Sequence, residues 1–226
     1  MIDSKVGFSK RVVRGVHACL VLIVMALPVQ SFAQEAIDLF DAQGLDSWDS
    51  HSFEGDTQYA LVEVDGVPVL RAESRASASG LVREQAFDLK KTPILTWRWR
   101  VIDGLPELDE HSKKGDDYAA RIYVIVSGGW QFWKTRALNF VWSGRNAKGE
   151  EWDNAFAGDN AKMLALRGQE AELGIWYEER VDIAKLLMDW FGEEVDEIDA
   201  IAIMTDTDNS GLSAKAEYAE LKLVSR

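Results

Sequence analysis

Apolar and polar residues alternate with a period of two along most of this chain, the pattern of strands that bury one face. Tyr59 to Val64 and Val67 to Ala72 both alternate, and they flank Asp65-Gly66, a dipeptide that favours a two-residue hairpin turn. Ser79 to Phe87 predicts the next strand. Ile94 to Ile102 predicts another, and its Trp97-Arg98-Trp99-Arg100 sets both tryptophans on one face and both arginines on the other. Tyr118 to Ser127, Ala137 to Ser143, Met163 to Arg167, Gly174 to Val181 and Ala214 to Val224 complete the alternating set. Ile198 to Met204 is almost wholly apolar, as a central strand covered on both faces would be.

One segment changes period. Ile183, Leu186, Leu187, Trp190 and Phe191 fall at helical spacing, with Asp182 placed to cap the start and Gly192 to end it. About ten short strands and one short amphipathic helix near residues 182–191 predict an all-β, two-sheet antiparallel sandwich. No internal repeat, low-complexity tract or linker divides the chain. Its longest polar connection, residues 103–116, holds Asp103-Gly104, Pro106 and Lys113-Lys114-Gly115 and predicts a surface loop.

The amino-terminal segment belongs to a different class. Lys5, Lys10, Arg11 and Arg14 precede an apolar run from Val16 to Leu27, and Ser31-Phe32-Ala33 offers small residues for a signal peptidase. A bilayer span takes about 20 residues, so this run predicts a cleavable signal, residues 1–33, rather than an anchor. The expectation is a periplasmic or secreted protein whose single domain is residues 34–226, with no stable membrane insertion after cleavage. The only cysteine, Cys19, would leave with the signal, so no disulfide, zinc–thiolate site or cysteine nucleophile would remain. Cleavage would take four basic residues of 25 and one acid of 38, leaving 21 against 37, a net charge of −16. Such a surface repels phosphate backbones and anionic headgroups, which argues against nucleic-acid and peripheral membrane binding. Neutral glycans, cations and basic partners fit that charge, and so does solubility alone.

Three groups of residues could carry chemistry. The first is the acidic loop Thr205-Asp206-Thr207-Asp208-Asn209-Ser210-Gly211. Counted from Asp206, oxygens fall at positions one, three and five (Asp206, Asp208, Ser210), Gly211 is sixth and Glu217 is twelfth. That is the spacing of an EF-hand, where alternate side chains converge on calcium. The flanks read as strands, however, and Ser213 stands where such loops carry an apolar residue. A turn held by Asp and Asn side chains, or one wall of a polar ligand site, fits equally. The second group is Asp116-Asp117-Tyr118-Ala119-Ala120-Arg121-Ile122-Tyr123. Strand periodicity would put Asp117, Arg121 and Tyr123 on one face and Tyr118, Ile122 and Val124 on the other. That face is a binding surface, or an Asp–Arg pair holding a sheet edge.

The third group is the tryptophans, nine in all. Trp97, Trp99 and Trp190 read as core, whereas Trp130, Trp133 and Trp152 are candidates to stack on a sugar ring. Catalytic templates are lacking: no G-x-S-x-G, no H-E-x-x-H and no phosphate-cradling glycine loop. His51 and His111 are far apart in the mature chain, and His111 sits in a charged, solvated stretch. Paired carboxylates alone can hydrolyse glycosides, and Asp117 with Asp206 or Asp208 is the pair to test.

The segments ASASGL (76–81), PILTWRWRV (93–101), GDDYAARIYV (115–124), LNFVW (138–142), ERVDI (179–183) and IDAIAIMTDTDNSG (198–211) resemble the family called domain of unknown function 3047. The resemblance implies one domain, a jelly-roll of the galactose-binding-like kind, and brings no activity, substrate or catalytic residue with it. It also implies that Asp117, Arg121, Asp206 and Asp208 sit together. Glu217 lies outside the family's pattern, and Tyr218-Ala219-Glu220 stands where Tyr-Gly-Asp is more usual, which weakens the calcium-loop reading. The sequence therefore points to an exported sandwich that binds a polar ligand, with a carbohydrate as the leading class, through Asp117, Arg121, Tyr123, Asp206, Asp208 and Asn209 with Trp130 or Trp152. The alternatives are a carboxylate-dependent enzyme acting on polysaccharide and a structural or assembly factor. No cofactor is required on any of these readings, and Ca2+ is the ion that Asp206, Asp208, Ser210 and Glu217 would hold.

Overall fold

The computed structural model describes residues 35–40, 44–131 and 134–226. The expected signal, residues 1–33, and Trp133 lie outside the described residues. Among the described residues, thirteen strands and one helix run in the order β1 (Ala36–Asp38), β2 (Asp49–Glu54), β3 (Gln58–Val64), β4 (Val67–Arg75), β5 (Ala78–Asp88), β6 (Ile94–Asp103), β7 (Ala120–Val126), β8 (Arg136–Trp142), β9 (Glu151–Asn154), β10 (Gly158–Arg167), β11 (Tyr177–Asp182), α1 (Ile183–Phe191), β12 (Glu197–Met204) and β13 (Ser213–Val224).

They form two sheets, β11-β6-β13-β4-β3 with β1 also on β13, and β2-β5-β12-β7-β8-β10-β9. Eight of them follow one rule: the chain from β4 to β7 pairs with its continuation in reverse. In the first sheet β13 lies between β4 and β6, with β11 outside β6. In the second β12 lies between β5 and β7, with β8 outside β7. A long hairpin rolled into two facing sheets gives this order, so the fold is a jelly-roll β-sandwich. One pair departs from the antiparallel expectation. β8 and β10 run parallel, from Ala161 opposite Ala137 to Arg167 opposite Trp142, because the segment carrying β9 brings the chain back across the sheet.

Periodicity places the core. Ile122 and Val124 of β7, Leu138 and Phe140 of β8, and Ile201 and Ile203 of β12 meet Trp97 and Trp99 of β6 and Tyr218 of β13 across the sandwich. Trp97 and Trp99 pack edge to face at 5.4 Å, and Trp97 lies 5.6 Å from Phe140. Residues between these point outward, so β7 presents Arg121, Tyr123 and Ile125 on the outer face of the seven-stranded sheet. On β12, Ala200, Ala202 and Met204 are buried on that face too, as the apolar run predicts. Asp65 and Gly66 have φ of 53° and 79°, both left-handed, as a type I′ hairpin turn requires. In α1 the Asp182 side chain accepts from Lys185 N, and Gly192 at φ 67° closes the last turn with its N–H on Met188 O.

Two strands begin later than alternation suggests: β11 at Tyr177 rather than Gly174, and β7 at Ala120 rather than Tyr118. β2 carries no apolar alternation because it is exposed along its whole length. No helix among the described residues is long and apolar enough to cross a membrane.

A buried hydroxyl helps to tie the two sheets together beneath the outer face. Tyr218 Oη, from β13, donates to Met204 O at 2.9 Å and accepts from Arg121 N at 3.2 Å, where β12 and β7 end their pairing. Thr205 Oγ1 lies 2.9 Å from the same hydroxyl and donates to Ala119 O. Tyr218→Phe would keep the ring and strip these buried groups of a partner. The expected loss is about 1–3 kcal/mol of unfolding free energy, read from urea denaturation. An unchanged midpoint would show that the hydroxyl holds nothing.

Candidate functional site

The outer face of the seven-stranded sheet carries a cleft of about 510 Å3. Its floor is built around Arg121, which is only 4% exposed. Nε and Nη2 of Arg121 both donate to Asn139 Oδ1 of β8, at 3.2 and 3.1 Å. Nη1 lies 3.6 Å from Asp116 Oδ2 and 3.9 Å from Asp206 Oδ2. The guanidinium carbon lies over two phenol rings, 4.9 Å from the centre of Tyr118 and 4.4 Å from that of Tyr123. Burial works against its charge, but Tyr123, Asp116 and Asp206 outweigh that and hold it protonated.

The carboxylates come from two loops laid side by side. The chain leaves β12 at Met204 and stays buried through Thr205, Asp206 and Thr207. Asp206 N donates to Tyr118 O, and Thr207 N donates to Ser77 O, which fixes this stretch against the Asp116–Ala119 segment and the β4–β5 turn. The following turn is held from outside itself. Asp117 Oδ2 accepts from Ser210 N at 2.7 Å, and Asp117 Oδ1 accepts from Asn209 N and Asn209 Nδ2 at 3.2 Å each. Gly211, at φ 70°, closes the turn with its N–H on Thr207 O. The turn is thus stabilised by carboxylate-to-backbone bonds, though the carboxylate lies some ninety residues away in sequence rather than within the loop.

Asp206 is the anomaly of the floor. It is 2% exposed, and its Oδ1 has no hydrogen-bond partner among the described residues. Burial pushes its carboxyl well above the usual range; Arg121 opposes this, and Asp116, Asp117 and Asp208 add to it. Asp208, half-buried, is also raised, by burial and then by Asp117. One ligand oxygen from each of Asp117, Asp206 and Asp208 lies within 4.8 Å of the others.

The rim is apolar. Phe53 of β2 and Phe156 of the β9–β10 turn line the cleft and are 74% and 57% exposed. Phe156 is tied to the floor through Asn154. Asn154 Nδ2 donates to both Asp116 oxygens, and its Oδ1 accepts from Phe156 N and Ala157 N at 3.0 Å each. Lys113 Nζ lies 5.1 Å from the Phe156 ring centre and steadies it.

Of the residues expected from the sequence, Arg121, Tyr123, Asp206, Asp208 and Asn209 all line this cleft. Asp117 is beside it but turned into the Asn209–Ser210 turn, with both oxygens engaged. It does not share a strand face with Arg121, because β7 starts only at Ala120; Tyr118, expected on the core side, packs against Arg121 instead. Trp152 is buried among Tyr118, Val141, Met163 and Ala165 and stacks on His111 at 5.2 Å, so it does not line the cleft. Trp130 is exposed at the β7–β8 connection and is not part of the lining either. Ser210 meets the cluster through its backbone N–H. Glu217 is on the other outer face of the sandwich, where Arg71 and Arg100 grip it at 2.6 and 2.5 Å, so the twelve-residue calcium register does not form. The residues that alternation missed are Asp116, Asn139, Asn154, Phe53 and Phe156. Asn139 was findable, since it is the one polar residue inside the apolar run Leu138 to Val141.

Asp206 gives a pH signature. An unfolded aspartate titrates near pH 4, and the folded one titrates higher. Holding that proton favours the folded state at low pH, and the contribution is lost as pH rises from about 4 through the folded value. Asp206→Asn cannot ionise. With a chelator present, its stability should therefore rise relative to the natural protein between about pH 4 and pH 7, in urea midpoints measured at both ends. A gap that stays constant with pH would refute the assignment.

Among curated proteins, none matches this sequence. Solved structures with a similar arrangement include a family 11 carbohydrate-binding module of a cellulosomal cellulase from Clostridium thermocellum, at 13% identity and TM-score 0.47, over 86% of this chain and 95% of that one. A cellulase derived from Cel12A of Rhodothermus marinus has 6% identity and TM-score 0.46, over 85% and 100%. The xyloglucanase domain of an effector from Sinorhizobium fredii has 10% identity and TM-score 0.40, over 81% and 100%. At the level of sequence, residues 46–222 match the model of the family described as protein of unknown function (DUF3047), and the chain belongs to that family.

Proposed function

We propose that the protein binds a neutral carbohydrate in the cleft over Arg121. The observation that carries this reading is the pairing of two exposed phenylalanines, Phe53 and Phe156, with a floor of amide and carboxylate groups. A sugar ring has apolar C–H faces and a polar hydroxyl edge. The phenyl rings suit the first, and Asp206, Asp208, Asn139 and Asn209 suit the second. The cleft volume falls within the roughly 300–1,000 Å3 of small-ligand sites. Charge narrows the class: Asp116, Asp206 and Asp208 outnumber Arg121, and a chain of net −16 after signal removal disfavours acidic sugars. Arg121 itself serves as an organiser: Nε and Nη2 donate to Asn139, and Nη1 sits among the carboxylates of Asp116 and Asp206. The expected export signal would bring the protein to where envelope and external glycans occur.

The test is an array of neutral oligosaccharides followed by calorimetry on the hits. Phe156→Ala should weaken binding by up to about tenfold, the value of one aromatic contact of 0.5–1.5 kcal/mol, without unfolding the protein. Absence of any neutral-glycan binding, or unaltered affinity in both Phe156→Ala and Phe53→Ala, would sink the proposal. New reducing ends in the same mixtures, lost in Asp206→Asn, would make the site a hydrolase instead.

A further inference from the structure

We propose that Asp117, Asp206 and Asp208 together hold one calcium ion at the edge of the cleft. Three ligand oxygens, one from each residue, lie within 4.8 Å of one another. Calcium–oxygen bonds are about 2.3–2.6 Å, so oxygens on opposite sides of the ion stand about 4.6–5.2 Å apart and neighbouring ones closer. Calcium's flexible shell of six to eight oxygens also suits carboxylates gathered on one side of an ion, whereas magnesium demands near-ideal octahedral geometry.

The independent sign of a ligand is Asp206 Oδ1. It is buried without any hydrogen-bond partner among the described residues, and it belongs to a carboxylate that lines the cleft. A buried acceptor left this way costs about 1–3 kcal/mol. The neighbouring carboxylates of Asp117 and Asp208 are acceptors too and cannot supply a donor when ionised. A cation satisfies all three at once. Charge argues for a divalent ion: Asp206 meets three further acids, Asp116, Asp117 and Asp208, and Arg121 alone stands against them.

The preparation of the site is visible in Asp117. Its oxygens accept from Asn209 N, Asn209 Nδ2 and Ser210 N, which orients the carboxylate yet uses three of its four or so acceptor positions. These bonds do what outer-shell partners do at metal sites, holding a ligand before the ion arrives. Asp206 and Asp208 face the cleft, so the remaining positions of a six- to eight-coordinate ion are open to water there. This ligand set differs from the EF-hand register: Asp117 comes from the β6–β7 connection, and Glu217 takes no part. The ion is held by the chain alone, so the inference stands whether or not the cleft binds a sugar.

The decisive measurement is calcium titration of the purified, chelator-stripped protein by calorimetry, with melting curves alongside. Saturable binding of one ion and a rise in melting temperature at millimolar calcium are expected, with a smaller response to magnesium. Asp208→Asn, at the half-buried member that the fold least depends on, should weaken calcium binding by about tenfold or more, because affinity follows the ligand charge count. No heat and no melting shift at millimolar calcium would overturn the proposal. So would equal calcium affinity in Asp208→Asn, or a magnesium response as large as that to calcium.

Discussion

The outer face of this sandwich is organised by one constraint: a guanidinium buried on a β-sheet must be compensated completely. Moving an ion of this kind out of water costs several kcal/mol even after relaxation, and only close partners recover it. Arg121 draws those partners from four parts of the chain. Asp116 comes from the loop before β7, Asn139 from β8, Asp206 from beyond β12, and the two phenol faces from Tyr118 and Tyr123. Asn139 is then engaged with Lys162 O of β10, and Asp116 with Asn154 at the end of β9. Compensation of one charge therefore reaches nearly every strand of the outer half of the sheet and ends at the rim, on Phe156.

The jelly-roll order makes this convergence possible. Because β12 lies between β5 and β7, the residues that follow Met204 emerge beside those that precede Ala120. Two acidic segments some ninety residues apart in sequence become adjacent loop ends, and Asp117 clasps the turn at Asn209–Ser210. Tyr218 reinforces the junction from the opposite sheet, with its hydroxyl under both strand ends. The acids are forced together by topology, and their mutual repulsion is borne by the fold rather than relieved by distance.

Much of this was legible in the chain. Alternation located most of the strands, the Asp65-Gly66 hairpin and the core tryptophans, because burial of one sheet face writes a period of two. The helix was marked by its caps. The family segments brought Arg121, Asp206 and Asp208 to one place. Alternation misled where the backbone was not yet a strand: extending β7 back to Tyr118 put Asp117 on Arg121's face and overlooked Asp116. The cleft-lining aromatics were hidden for a different reason. Phe53 and Phe156 sit in exposed, non-alternating segments, where a phenylalanine has no periodic neighbours to show which way it points. Trp152 drew attention by its residue type, yet its neighbours Tyr118 and Met163 bury it.

The two outer faces of the sandwich show how differently a buried acid can be used. Glu217, on the face of the six-stranded sheet, is as buried as Asp206, and burial alone would raise its carboxyl. Hydrogen bonds from Arg71 and Arg100 outweigh that and hold it below the usual range. An acid so paired is a structural tie. Asp206 has one guanidinium at 3.9 Å, shared with Asp116, and an oxygen that touches no donor. A network built only for stability would complete that carboxylate, as the chain does for Glu217 and again for Glu110, which accepts from Ser143 Oγ, Gly144 N, Arg145 N and Asn146 Nδ2. Among the described residues Asp206 is the one acid left with a buried, unpartnered oxygen, and it lies in the lining of the cleft, where departures from local rules are expected at a functional site.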